Sequence, residues 1–272
     1  MRTENLRLRL EEAADYRVVE ALTREAFWGF TQSTCEEHLI AHKLRQASVF
    51  VPELDYVAEA DGEIVGNVMY SKAKIADGAD REHEVLTFGP LSVLPKYWNQ
   101  GIGSALMRHT IKKAKLLGHR AIVFYGYPDY YPRFGFERSE VYNIITPEGR
   151  SLDALMVMPL YRGALEGISG RFCEDPVFHV DAAEVAEFDK SFPHREACIL
   201  TPVDVLTVRL ELAAQKALQE RNITVLAWLT RYSGREIASW SGIDEKAMAI
   251  INETLKEYGY ARKVFPERFS IY

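Results

Sequence analysis

The stretch YWNQGIGSALMRHTIKKAKLLG, residues 97–118, changes from an aromatic, amide-rich turn to a helical pattern at two glycines, Gly101 and Gly103. Downstream of them, apolar spacing predicts one buried helix face made of Ile102, Leu106, Thr110, Ala114 and Leu117. The start of a helix presents unpaired N–H groups and a partial positive charge, which suit an anion such as a phosphate. The missing Cβ atoms would let such an anion approach the backbone closely.

The segments around this turn predict a mixed α/β domain. Alternating residues 6–10 predict a strand, and a helical pattern follows it. Residues 34–47 begin with a Thr-x-x-Glu capping box and predict a second helix. Asp61-Gly62 predicts a hairpin turn between two strand patterns. Later strand patterns are EVLTFGPLSV (84–93), AIVFYG (121–126), GFERSEVYNI (135–144) and, as the final strand, LDALMVMPL (152–160).

Length and periodicity indicate two unequal domains. At 272 residues the chain exceeds the commonest size of a single domain. Every periodic segment beyond residue 196 has helical spacing. We therefore expect a mixed domain over residues 1–195 and a small all-α domain over residues 196–272.

Composition narrows the range of partners. The net charge of −6 argues against non-specific binding to nucleic acid or to anionic membranes. The three cysteines are widely spaced without a CxxC pair, a pattern typical of reduced thiols rather than of disulfides or a metal site. The N-terminal residues contain no apolar signal region, and no segment has 18 consecutive apolar residues. We expect a cytoplasmic protein with no metal and no membrane partner.

The first domain resembles the GNAT superfamily of acyl-CoA-dependent N-acetyltransferases over residues 4–195. The segment FGPLSVLPKYWNQGIGSALM (88–107) is similar to the family's acyl-CoA motif, in which a Leu-x-Val strand end precedes a glycine turn and a long helix. The resemblance implies a mixed, mostly antiparallel sheet flanked by helices, with acetyl-CoA as cofactor. Trp98 stands where the family motif has Gln or Arg, and Asn99 stands at a frequent glycine position. The implied cofactor-binding residues are Leu91, Ser92, Val93, Asn99, Gln100, Gly101, Ile102, Gly103 and Ser104.

A second motif, YYPRFGF (130–136), resembles the Tyr-x-x-x-Gly-Phe element of the same family. In this register Tyr131 takes the position of the tyrosine that protonates the leaving thiolate, and a one-residue shift would give Tyr130 that role. The incoming ammonium must lose a proton before it attacks, which a carboxylate or a histidine assists. Glu84 is the expected general base, and the alternatives that stay open are His83, Glu37 and His38.

The helical segment 206–260 resembles the C-terminal domain of the RNA polymerase α subunit and includes GIDEKAMAIINETL (242–255), which is similar to a helix-hairpin-helix element. That module binds DNA and contacts activators. Here Ala213 stands where the module has its minor-groove Arg, and Asp244 occupies the glycine position of the hairpin. Residues 196–272 hold ten basic and ten acidic residues, without the basic excess that phosphate binding needs. A protein-contact or dimerising role is favoured, and DNA binding stays open.

Together these features predict an N-acetyltransferase that moves an acetyl group from acetyl-CoA to an amine by direct attack in a ternary complex. The amine acceptor, a small molecule or a protein, is left open. The alternative is a non-catalytic acyl-CoA sensor, or a transcription-linked module that docks through its helical domain.

Overall fold

The strands and helices of this protein were assigned in a computed structural model that describes residues 5–29, 34–78, 81–126, 128, 130–197, 201–221, 223–232 and 234–258. The chain divides into two compact units, one formed by residues 1–27 and 35–194 and the other by residues 28–34 and 195–272. Residues 28–34, which lie within the expected first domain, thus group with the C-terminal unit.

One mixed sheet forms the centre of the first unit. Its strands are β1 (Arg7–Leu10), β2 (Tyr56–Ala60), β3 (Glu63–Ala76), β4 (Glu82–Val93), β5 (Ala121–Tyr125), β6 (Glu137–Arg138), β7 (Ile144–Ile145), β8 (Leu155–Pro159) and β9 (Gly170–Cys173). The main path runs β1-β2-β3-β4-β5-β8-β6, and β9 pairs with β3 and β7. The pairs β4–β5 and β7–β9 are parallel, and the other pairs are antiparallel. The mostly antiparallel sheet is therefore as expected.

The predicted hairpin between β2 and β3 is confirmed. Asp61 and Gly62 form its turn with φ angles of 51° and 81°, as a two-residue turn of type I′ requires. Glu63 follows the turn directly and begins β3.

Three helices pack on this sheet: α1 (Tyr16–Phe27), α2 (Glu37–Leu44) and α3 (Ile102–Leu116). A fourth helix, α4 (Ala182–Asp189), packs against α1 and α2, where Asp189 pairs with Arg24 and Phe188 contacts the His42 ring. The α3 helix covers one face, where Leu106 and Met107 share a core with Leu86 and Phe88 of β4. It lies close to β3, because a Cβ atom added at Gly66 would stand 3.2 Å from both Ile102 Cγ2 and Leu106 Cδ1. Strand residues that alternate with these core residues direct their side chains to the other face of the sheet.

Part of β4 departs from regular pairing. Val68 of β3 pairs with Leu91, whereas Tyr70 pairs with Phe88, so Gly89 and Pro90 together oppose one residue. This extra residue is a β-bulge. Pro90 fits there because a bulge leaves a residue out of the hydrogen-bond ladder, where the missing N–H of proline does no harm.

Beside the bulge, β4 and β5 separate. Among the described residues, the two strands pair in parallel at Leu86 and Ile122. Beyond this pair β4 continues to Val93 and β5 continues to Tyr125. We call the space between residues 87–93 and residues 123–125 the strand gap. A backbone edge that lacks a neighbouring strand can pair with an extended ligand.

Three expectations from the sequence are wrong in detail. The α2 helix begins at Glu37 with Glu36 as N-cap and no side-chain cap, so Thr34 and Glu37 do not form a capping box. The expected sixth strand is broken by a 3-10 helix at Ser139–Tyr142. LDALMVMPL does not hold the final strand, because β9 follows it and pairs Phe172 with Ile75 of β3.

The second unit is helical in its described part. Its helices are α5 (Asp204–Thr207), α6 (Leu212–Glu220), α7 (Gly234–Ala238) and α8 (Glu245–Glu257), with a 3-10 helix at Leu226–Arg231. It has an apolar core of its own, in which Trp240 is buried and Trp228 is packed at the edge. The side chain of Asp244 caps α8 by accepting the N–H of Ala247 at 2.7 Å.

Among the described helices, none combines the length and the apolar character that a membrane crossing would need.

A buried polar cluster lies beside the start of β2. Arg45 forms a buried ion pair with Glu11 at 2.7 Å, and Asn67 donates to the buried Asp55 at 3.0 Å. Burial raises the pKa of Asp55 well above its ordinary value, and the neighbouring Glu11 carboxylate adds to the effect. Asp55 therefore holds a proton in the folded state that it gives up on unfolding.

We predict that the free energy of unfolding falls as the pH rises from about 5 to 8, by up to about 1.4 kcal/mol per pH unit for this one proton. The sign follows because a carboxyl with a raised pKa binds more protons in the folded state than in the unfolded state. Asp55→Asn, which needs no proton, should flatten this slope in urea unfolding at each pH. The exposed Asp153→Asn is the control, and identical slopes in all three proteins would contradict the assignment.

Candidate active site

The β4 edge of the strand gap is set by the alternation of backbone groups along the strand. Leu94 N–H donates to the carbonyl of Val65 on β3 at 2.9 Å. Since successive residues direct their backbone groups to opposite sides, Ser92 also faces β3, whereas Leu91 and Val93 face the gap. The Ser92 hydroxyl is used elsewhere, because it donates to Thr23 Oγ1 at 3.0 Å. Of the three strand residues expected at the cofactor, Leu91 and Val93 therefore supply the open edge.

The glycine turn connects this edge to α3. Asn99 and Gly101 have φ angles of 64° and 82°, and a side chain at Gly101 would strain the backbone although no atom lies within 4 Å of its added Cβ. At Gly103 an added Cβ would make only an ordinary contact, 3.7 Å from Val93 Cγ2. The turn thus requires glycine at 101, whereas the protein itself leaves room for a larger residue at 103.

The first turn of α3 lies at the end of the strand gap. The first helical hydrogen bond runs from Ala105 N–H to Gly101 O at 2.9 Å. The N–H groups of Ile102, Gly103 and Ser104 come before it, so they lack acceptors within the helix. These donors and the helix dipole favour an anion at this place.

Side chains before the turn hold it in position. Lys96 Nζ and Tyr97 Oη both lie 2.9 Å from the Glu63 carboxylate, next to the β2–β3 turn. The Trp98 indole N–H donates to the Val93 carbonyl, and Gln100 Nε2 donates to Lys96 O at 3.2 Å. The Gln100 side chain therefore stabilises the loop through this hydrogen bond.

Tyr131 lies over the strand gap on the α3 face of the sheet. It opens a 3-10 helix, Tyr131–Phe134, which ends at Gly135 with φ of 95°. Its ring centre is 4.5 Å from that of Phe124 on β5 and 5.9 Å from that of Phe88 on β4. Tyr130 lies one ring further out, 5.0 Å from Tyr131. The structure thus brings Tyr131 close to both strands that border the gap.

Glu84 is not brought together with Tyr131. It is exposed on β4 and pairs with Lys72 at 3.0 Å. Burial lowers the pKa of His119, and the negative charge of Glu84 opposes this shift. Glu84 therefore lies near His119, which follows α3. The strand gap is bordered by the other end of α3, and this helix is about 22 Å long. Along β4, Glu84 precedes Phe88 by four residues, or about 13 Å.

The alternative bases have other surroundings. His38 is fully buried, its ring contacts Phe188 and Phe192, and burial lowers its pKa to about 4. Glu37 accepts the Cys35 thiol at 3.3 Å, and burial raises its pKa. His83 lies 3.5 Å from Asp77 near the start of β4. His38 is therefore neutral near pH 7, and the Glu37 carboxylate already accepts a hydrogen bond from the Cys35 thiol.

One carboxylate at the gap was missed by the sequence analysis. Glu174 follows β9 and accepts the hydroxyl of the buried Thr87, the first β4 residue of the strand gap, at 3.1 Å. No sequence signal indicated this contact, because it depends on β9, a four-residue strand without a clear periodic pattern. Among the described residues, no group of three or more His, Cys, Asp or Glu side chains could hold a metal ion.

Comparison with known proteins identifies relatives of this chain. The family model described as acetyltransferase (GNAT) domain matches residues 52–138. The uncharacterised N-acetyltransferase YjhQ of Escherichia coli K12 is 33% identical over 126 residues, 46% of this chain and 65% of YjhQ, so the chain spans slightly less than two thirds of that relative. The uncharacterised N-acetyltransferase YhbS of the same strain is 30% identical over 164 residues, 60% of this chain and 92% of YhbS. This chain belongs to the GNAT family of acetyltransferases.

Two solved GNAT structures share this fold. The crystal structure of E. coli YhbS in complex with CoA aligns with a TM-score of 0.57 at 26% identity, covering 64% of this chain and 92% of YhbS. A GNAT acetyltransferase from Brucella melitensis, in complex with acetyl-CoA, aligns with a TM-score of 0.52 at 26% identity, covering 64% and 98%. The GNAT-like mixed fold that the sequence predicts for the first unit is therefore confirmed.

Trp98 departs from the GNAT motif, and the structure gives it a local role. Its indole bond to Val93 ties the glycine turn to the end of β4. The side chain thus supports the loop, while the N–H donors of this GNAT protein's α3 belong to the backbone and do not depend on residue 98.

The Tyr131 ring fits only because residue 126 has no side chain. A Cβ atom there would lie 2.3 Å from Phe124 Cε2 and 2.6 Å from Tyr131 Cε2. We predict that Gly126→Ala displaces these rings and lowers the free energy of unfolding by about 1–3 kcal/mol, as overpacking does. Urea unfolding measures the change, with Gly78→Ala as control, because its added Cβ meets nothing within 4 Å. Equal stability of both variants would contradict the packing described here.

Proposed function

We propose that this GNAT protein transfers an acetyl group from acetyl-CoA to an amine by direct attack in a ternary complex. The observation that carries the proposal is the strand gap, with the open edge of Leu91 and Val93, the N-terminus of α3 at its end and Tyr131 over it. The CoA and acetyl-CoA bound in the two related crystal structures support the same donor.

The residues present fit this donor. The backbone groups of Leu91 and the N–H of Val93, whose carbonyl accepts the Trp98 indole N–H, would pair with the pantetheine arm as with a short strand. The N–H groups of Ile102, Gly103 and Ser104 would donate to the diphosphate. Gly101 leaves open space beside them, since its added Cβ would meet nothing within 4 Å. When bound, acetyl-CoA supplies an activated thioester carbonyl.

Tyr131 is proposed to protonate the departing thiolate. A phenol can donate a proton to a thiolate as it forms, because the pKa values of the two groups differ by less than about two units. Its ring contacts with Phe124 and Phe88 hold it beside both borders of the gap. The proton that leaves the incoming amine requires a second group on the acceptor side.

Thiol release separates acetyl transfer from acyl-CoA sensing. The purified chain is mixed with acetyl-CoA and with spermidine, tyramine or a lysine peptide, and free CoA thiol is measured. We expect at least one amine to raise the release above hydrolysis, with a matching acetylated product by mass spectrometry. Calorimetric binding of acetyl-CoA without turnover of any amine would instead favour the acyl-CoA sensor. The presence of Trp98 where the family motif has Gln or Arg favours that alternative.

Tyr131→Phe tests the proton donor in the same assay. It removes one hydroxyl and keeps the ring packing, so kcat should fall by about 100-fold while the acetyl-CoA Kd stays within twofold. The exposed Tyr161→Phe is the matched control. Unchanged kcat in Tyr131→Phe would remove the residue from this role.

Two glycines with the same backbone strain test the anion site. Gly101 and Gly118 have φ angles of 82° and 81°, and neither added Cβ meets an atom within 4 Å. Alanine at either position should cost about 1 kcal/mol of stability, but only Gly101→Ala should weaken acetyl-CoA binding, by about tenfold or more. Equal dissociation constants for the two variants in calorimetry would contradict the diphosphate assignment.

For the C-terminal unit, we propose a protein-contact or dimerising role. Lys246 pairs with Glu211 at 2.7 Å, and Arg209 pairs with Glu253 and Glu257. Asp244 adds a negative charge at the start of α8, where a phosphate would otherwise bind. These pairs leave less positive charge for DNA. The resemblance to the RNA polymerase α subunit, the helix-hairpin-helix element and the cytoplasmic location stay predictions.

A further inference from the structure

We propose that Glu174 binds the ammonium group of the acceptor and takes its proton, so that the acceptor is a primary amine that arrives as a cation. The inference rests on the proposed acetyl transfer and assigns its acceptor side.

The position of Glu174 follows from Thr87. Thr87 is the first β4 residue beyond the paired position Leu86, its side chain is fully buried, and its hydroxyl donates to Glu174 Oε1 at 3.1 Å. The carboxylate therefore lies where the strand gap opens. A carboxylate has about four acceptor sites, so the single bond from Thr87 leaves capacity for the N–H groups of an ammonium.

Glu174 and Tyr131 lie on opposite faces of the sheet. Leu86, Phe88 and Phe124 belong to the core beneath α3, and Tyr131 packs against it. Thr87 has the opposite parity, and its neighbours Val85 and Val123 belong to the core on the other face. A thioester held in the gap would thus have a carboxylate on one side and a phenol on the other. This arrangement keeps the group that would take the amine proton apart from the group that would protonate the thiolate.

The chain that follows Glu174 builds a wall on the same face. A 3-10 helix, Pro176–Phe178, places the Phe178 ring 3.8 Å from the position of an added Cβ at Gly89 in the bulge. Phe178 also packs against the core of Ala41, Leu44 and Met69. The carboxylate is therefore fixed between the β4 edge and an apolar wall, which suits a carbon chain that ends in an ammonium.

The charges around Glu174 agree with a proton acceptor. Burial raises its pKa above the ordinary value, while the Thr87 hydroxyl and the nearby His179 oppose this. Burial together with the negative charge of Glu174 raises the pKa of Tyr125 on β5 to about 12. A carboxylate whose pKa lies nearer to neutral pH is a better general base than an exposed one.

The acceptor ammonium gives one proton to the Glu174 carboxylate, and the freed nitrogen lone pair forms the N–C bond to the acetyl carbon. The C–S bond breaks with its electron pair on sulfur, which takes the Tyr131 proton. The nitrogen loses a second proton as the amide forms, and that proton restores the phenol through solvent. Glu174 then releases its proton, so one H⁺ is produced per acetyl group moved.

The test uses Glu174→Gln in the full chain, with the panel amine that the wild type acetylates fastest. Glutamine can still accept the Thr87 hydroxyl but cannot take a proton. We expect kcat/KM for the amine to fall about 100-fold with acetyl-CoA Kd within twofold, and the acidic limb of the pH profile to disappear. Glu187→Gln, an exposed carboxylate paired with Lys190, is the control and should leave the profile unchanged.

A second variant keeps the carboxylate. Thr87→Val removes a hydrogen bond that lowers the pKa of Glu174, so the acidic limb should move to higher pH. An unchanged kcat/KM in Glu174→Gln, or an unshifted limb in Thr87→Val with normal acetyl-CoA binding, would overturn the role of Glu174 and leave acetyl transfer intact. Failure of the wild type to bind acetyl-CoA would instead remove the proposed function on which this inference rests.

Discussion

The separation of β4 from β5 is the constraint on which the rest of the site depends. Two parallel strands that pair at Leu86 and Ile122 and then part leave one backbone edge of β4 without a partner strand. The bulge at Gly89 and Pro90 increases this divergence, because a bulge bends and twists its strand. The N-terminal end of α3 lies at one end of the resulting gap and the Thr87–Glu174 pair at the other.

Local sequence signals predicted the hairpin, the glycine turn and the helix that border the strand gap. The glycine turn, the apolar stripe of α3 and the Asp61-Gly62 hairpin each depend on neighbouring residues, so spacing alone reveals them. Leu117 is an exception on the predicted stripe, since α3 ends at Leu116 and Leu117 is half exposed. The resemblance to a known family then supplied the tyrosine motif, whose partners Phe88 and Phe124 come from two different strands.

The position of Glu174 could not be predicted because it depends on contacts between residues far apart in sequence. Glu174 meets Thr87 across 87 positions of the chain, through a short strand that pairs with the far end of β3. Glu84 was the natural candidate because it lies on β4 itself, yet its strand position directs it to Lys72. A hydrogen bond between side chains carries no periodic signal, whereas a helix or a hairpin does.

The close approach of α3 to β3 at Gly66 has a consequence for changing this GNAT protein by mutation. A single methyl group at position 66 would stand 3.0 Å from the Ser92 carbonyl oxygen and 3.2 Å from two side chains of α3. The sheet at Gly66 thus sets how closely the first turn of α3 can approach β3. A larger residue at position 66, which lies outside every motif that the sequence displays, would therefore move the α3 N-terminus that borders the strand gap.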